Sequence, residues 1–94
     1  MSIYIYSKWH NNPVGSPSEL YSELDAQRYE IRKVEIFNDG KIGYASKTDT
    51  AHGTRLGIIP VPSITEIEAQ GGFDINEISK NEFEEKWRKA TERR

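Results

Sequence analysis

A chain of 94 residues holds material for one hydrophobic core, so residues 1–94 are read as a single domain. Its apolar share of 35% is low, but 11% aromatic residues offset it, since each buried ring removes on the order of 150–250 Å² from water, and this argues against disorder. The absence of cysteine excludes disulfide staples and thiolate chemistry and fits a reducing compartment.

The net charge of −2 conceals an uneven distribution. Residues 1–59 hold seven acids and seven bases, whereas residues 60–85 hold seven acids against Lys80 alone, a net of −6. Residues 86–94 return +4 through Lys86, Arg88, Lys89, Arg93 and Arg94 against Glu92. A basic surface could dock on residues 60–85. Met1 to His10 has neither a basic start nor a continuous apolar stretch, so no signal peptide or membrane span is expected there, and the chain is read as cytoplasmic.

The first strand alternates Ile3, Ile5 and Trp9 with Tyr4, Tyr6, Lys8 and His10. Asn11 to Pro17 collects turn residues and reads as a loop. Residues 18–25 fit two elements. Leu20 and Leu24 have helical spacing behind a capping box at Ser16–Glu19, yet Leu20, Ser22 and Leu24 also alternate as a strand would. The strand is preferred because a short link at Ala26-Gln27 then makes a hairpin with Arg28 to Phe37. In that segment the apolar phase switches from Tyr29 and Ile31 to Val34 and Ile36, which predicts a β-bulge near Arg32-Lys33. Asn38-Asp39-Gly40 predicts a tight turn into a return strand carrying Ile42 and Tyr44.

Ser46 to Thr54 is polar and aperiodic and reads as an exposed, mobile loop. Pro60 and Pro62 mark residues 55–62 as an edge or a packed connector. Ser63-Ile64-Thr65-Glu66 has capping-box spacing and Gly71-Gly72 is a stop, framing a short helix near 64–70. A short strand over Phe73 to Ile78 then precedes a C-terminal helix capped by Ser79 and Glu82. Phe83, Trp87 and Ala90 form its buried stripe, with Glu82–Lys86, Glu84–Arg88 and Glu85–Lys89 as i,i+4 pairs. The expected fold is α+β: an antiparallel β-meander of about four to five strands, with the C-terminal helix packed on one face.

No spacing around His10 or His52 matches a metal site, and neither a metal nor another cofactor is expected. His52 with Asp49 and Thr54 is the one local cluster suited to nucleophilic chemistry, but it sits in a loop that reads as solvated. Gly53-Thr54-Arg55-Leu56-Gly57 lacks the Lys-Ser/Thr pair of a phosphate loop. Glu23 and Asp25 would share a strand face as an acid–base pair, an arrangement equally at home on any wet face. No enzyme is expected. Tyr4, Tyr6 and Lys8, with Tyr21 and Arg32 or Lys33 beside them, could stack bases and neutralise phosphates.

Trp9, Leu20 to Asp25, Arg32 to Phe37, Asp39-Gly40, Gly43-Tyr44-Ala45, Gly53 to Gly57, Pro60-Val61-Pro62 and Ile78-Ser79 with Phe83 and Trp87 together resemble an uncharacterised bacterial family of small single-domain proteins of unknown function. The resemblance spans almost the whole chain and implies a stand-alone unit, with no catalytic residues to carry over. Families of this size are common among immunity proteins encoded beside secreted toxins. The leading expectation is therefore a non-enzymatic immunity protein that neutralises a cognate toxin domain with a basic cleft. Glu66, Glu68, Asp74 and Glu77 are its expected contacts, because capping and helix pairs do not account for them. The alternative is a small sheet-based nucleic-acid-binding protein.

Overall fold

The fold is given by a computed structural model that describes residues 1–92. Arg93 and Arg94, two of the bases counted in the C-terminal stretch, lie outside the described residues. The elements are β1 (Ile3–Trp9), β2 (Pro17–Leu24), β3 (Glu30–Phe37), β4 (Ile42–Ala45), β5 (Thr50–Ala51), α1 (Ile64–Gln70), β6 (Phe73–Glu77) and α2 (Lys80–Thr91). All strand pairs are antiparallel, in the order β5-β4-β3-β2-β1-β6. The meander runs from β1 to β5, and β6 returns to the far side of β1.

The architecture is the α+β fold expected, with six strands rather than four or five. The additional strand is β5. It arises inside the stretch read as a mobile loop, where Ser46 N–H donates to the Asp49 carbonyl and Ala51 falls opposite Tyr44. Two residues are too few to leave a periodic signal. Residues 18–25 resolve in favour of the strand.

The link between β2 and β3 is longer than Ala26-Gln27. Asp25 N–H donates to the Tyr29 carbonyl and Arg28 N–H to the Asp25 carbonyl, while the Asp25 carboxylate accepts the amides of Gln27 and Tyr29. The β3–β4 turn repeats this pattern, with Phe37 bonded to Lys41 and Gly40 to Phe37. Gly40 supplies the left-handed residue there, at φ 87; in the first turn Arg28 does so, at φ 71. The register of β2 on β3 slips between Glu30 and Arg32, leaving Ile31 as the extra residue. This is the expected bulge, displaced by one residue towards the N-terminus. A second slip, at Ser18, has no counterpart in the apolar pattern.

Each face of the sheet carries its own cluster. On one, Ile5, Leu24 and Ile75 are buried beneath Val61, Ile64 and Ile67, so α1 and the preceding connector cover it. On the other, Val34 and Tyr44 pack against Ala90 and Trp87 of α2. Phe83 is fully buried, 5.5 Å from the Tyr4 ring, and stacks on Trp87. Both helices begin with a complete capping box, Ser63 with Glu66 and Ser79 with Glu82.

Of the three expected pairs along α2, Glu85–Lys89 is present at 4.0 Å. Glu82 is held by its capping box, Lys86 lies over the Tyr21 ring, and Arg88 pairs with Glu92 instead. Glu84 turns to the sheet. Arg32 of β3 grips its two oxygens at 3.1 and 2.7 Å, places Nε 2.5 Å from Glu23, and lies over the Phe83 and Trp87 rings. Among the described residues no helix is long and apolar enough to cross a membrane.

Candidate protein-docking surface

The chemistry-bearing clusters suggested by the sequence separate in space. Thr54 is buried on the α1 side and donates to Glu35 at 2.8 Å, whereas Asp49 accepts from the Tyr44 hydroxyl and His52 stands exposed at φ 57. These three do not form a relay. Glu23 and Asp25 also part: Asp25 ties its turn, while Glu23 accepts from Ser2, Tyr4 and Arg32. Burial pushes the Glu23 carboxyl up, but the bonds from Ser2 and Arg32 outweigh it and hold the group below its ordinary value. The Gly57 amide, in the segment compared with a phosphate loop, already donates to the Glu30 carboxylate.

The tyrosine surface divides similarly. Lys33 lies on the opposite face from Arg32 and pairs with Glu30 at 3.0 Å. Arg32 is under α2, and Tyr4 packs on Phe83. Tyr6 and Tyr21 are left on the part of this face beside the helix, with ring centroids 4.8 Å apart and Lys8 in the next pair along β1 and β2. The Tyr6 hydroxyl donates to Glu19 at 2.9 Å. Burial first, then this bond, pushes its ionisation far above the ordinary value of 10.0. Base stacking there would compete with an existing contact.

Glu66, Glu68, Asp74 and Glu77 all lie on α1 and β6, two elements that touch, and all four are exposed. They are not equivalent. The Glu66 carboxylate accepts the Ser63 amide and hydroxyl in the capping box, so helix capping does account for it. Asp74 pairs with His10 Nε2 at 2.8 Å, because β6 lies beside β1 and places Asp74 opposite Lys8. Asp74 and Glu77 also alternate onto opposite faces of β6. Glu68 and Glu77 have no side-chain partner among the described residues. They are the most available carboxylates of the four.

The connector leading to α1 has a feature that the sequence reading missed. Residues 54–61 run antiparallel to β3 along the α1 side, tied at Thr54 to Glu35, at Gly57 to Glu30, and at Val61 to Arg28. Arg28 adds Nε and Nη2 bonds to the Val61 and Pro62 carbonyls at 2.8 and 2.9 Å. Between the last two ties, Ile58 is 90% and Ile59 71% exposed. The available signal was an Ile-Ile pair outside any periodic element and just before Pro60. Nothing in the sequence marks Arg28 as its tether.

A family model described as a domain of unknown function (DUF6881) matches residues 3–92. No curated protein and no solved structure matches the chain.

Proposed function

The chain belongs to the DUF6881 family, which carries no assigned activity, and from that premise we propose that it is a non-enzymatic protein-binding domain. Its most specific form is a cytoplasmic immunity protein that occludes the active site of a cognate toxin domain. The observation that carries this reading is the placement of the acidic stretch: Glu68 and Glu77 stand exposed, without partners among the described residues, on neighbouring elements at one edge of the sheet. Exposed carboxylates left unpaired add like-charge repulsion to the fold and little stability. They do create a field that speeds encounter with a basic partner and disfavours acidic ones. A nuclease cleft, basic because it binds phosphates, is a partner of that kind.

Co-expression with the product of the adjacent gene tests the proposal. A complex that survives purification and weakens when Glu68 and Glu77 are reversed to lysine supports it. Absence of any complex, or one that tolerates charge reversal at Glu66, Glu68, Asp74 and Glu77 together, rejects it.

A second reading, a sheet-based nucleic-acid binder, is favoured by Lys8 and Lys86 flanking the Tyr6–Tyr21 pair. It requires a gel shift at low salt that weakens steeply as salt rises, and the absence of a shift removes it.

A further inference from the structure

We infer that Ile58 and Ile59 form a pre-organised apolar anchor, which enters an apolar cleft with a basic rim on the partner protein. The inference rests on the protein-binding reading above and adds the mode of contact.

The three ties, from Glu35 and Glu30 of β3 and from Arg28 in the turn before it, hold residues 54–61 as a strap on either side of its crest at Ile58 and Ile59. Arg28 occupies the left-handed region, which a residue with a Cβ disfavours, and its side-chain bonds go to the two carbonyls just beyond the crest. Pro60 and Pro62 restrict the backbone further. Val61 packs on the Ile5, Leu24 and Ile75 cluster, but the adjacent isoleucines do not join either core. A single exposed apolar side chain is ordinary on a protein surface. Two in succession, on a segment tethered at both ends, form a convex apolar feature whose ordering cost is met before binding.

Shape and charge select the occupant. Two isoleucines fall far short of the roughly 800 Å² per partner in a standard interface, so neighbouring elements must supply the rest. Arg28 and Arg55 lie beside the crest itself, but the strap runs directly into α1, and residues 60–79 hold Glu66, Glu68, Asp74 and Glu77 with no lysine or arginine. A second copy would set like charges against like, and an anionic lipid surface would do the same. A protein with basic groups around an apolar depression complements both features.

The test titrates three forms of the full chain against the product of the adjacent gene: wild type, Ile58→Asp/Ile59→Asp, and Glu68→Lys/Glu77→Lys. Backbone heteronuclear NOEs are recorded on the free wild type and on Arg28→Ala. The isoleucine variant is expected to keep its melting midpoint and lose about tenfold or more in affinity. The amides of Ile58 and Ile59 are expected to be as ordered as those of the sheet, and to lose order in Arg28→Ala. Unchanged affinity in the isoleucine variant overturns the inference, as do wild-type NOEs typical of a free tail. If only charge reversal weakens the complex, the protein-binding reading stands and the apolar anchor falls. If the wild type does not bind, both fall.

Discussion

Arg28 and Val61 are joined by two hydrogen bonds of 2.8 Å, one from the Val61 amide to the Arg28 carbonyl and one from Arg28 Nε to the Val61 carbonyl. A hairpin turn thereby holds a connector more than thirty residues away in sequence. Arg28→Ala removes the side-chain bonds and keeps a Cβ at positive φ, so a loss of about 1–3 kcal/mol is expected in urea unfolding. Arg28→Gly loses the same bonds but recovers about 1 kcal/mol of backbone strain. It should therefore be the more stable of the two. The reverse order would mean that the left-handed turn carries no strain.

Arg32 links β2, β3 and α2 through Glu23 and Glu84. In Arg32→Met, Glu23 loses its guanidinium partner while only 8% exposed, and the expected cost is about 3–5 kcal/mol. Glu84→Gln should cost much less, since the Glu84 side chain is 39% exposed and water can replace part of the contact. Chemical denaturation of both variants checks the order. Equal losses would place the strength of the network on the helix side.

Gly43 and Thr54 compete for one space. A Cβ on Gly43 would lie 2.1 Å from Thr54 Oγ1 and 3.0 Å from the Ala51 carbonyl oxygen. Gly43→Ala is expected to cost about 1–3 kcal/mol through overpacking. Thr54→Ala opens the site while abandoning the Glu35 contact, so the double variant should lose less than the sum of the two single variants. Simple additivity would show that the strap moves aside freely.

Acid should unfold the protein through Arg32's partners. Glu84 is held below its ordinary value of 4.5, chiefly by its hydrogen bonds from Arg32, and Glu23 is held below it despite burial. Groups depressed in the fold contribute stability fully above 4.5 and lose it as pH falls through their folded values. The melting midpoint should drop as pH falls below 4.5, and Arg32→Met should flatten that limb. On the alkaline side, burial raises Tyr6 and Tyr21 above 10.0, so their contribution is present below that value and declines as pH rises beyond it. A midpoint independent of pH in the acid range would contradict the role given to the carboxylates.

Local features were legible in the sequence because local chemistry makes them. Asn38 to Gly40 forms its turn and Ser79 with Glu82 caps α2, both within a few residues. The bulge at Ile31 showed as a change of apolar phase. Failures came where a distant residue took a side chain away: Glu84 goes to Arg32, 52 positions earlier, rather than to Arg88. Asp74 finds His10 because β6 returns beside β1, an adjacency absent from residue spacing. Glu66 differs, since its capping spacing was visible and was reason enough to discount it as a free contact. The tether at Arg28 was hidden because an arginine fills the position that Gly40 fills in the companion turn.

The role of the acidic edge is tested most directly by the association rate with the adjacent gene's product, followed by stopped-flow across a range of salt. Wild type should associate quickly at low salt and slow steeply as salt is added, while Glu68→Lys/Glu77→Lys should associate slowly with little dependence on salt. Rates that coincide for the two proteins at every salt concentration would contradict it.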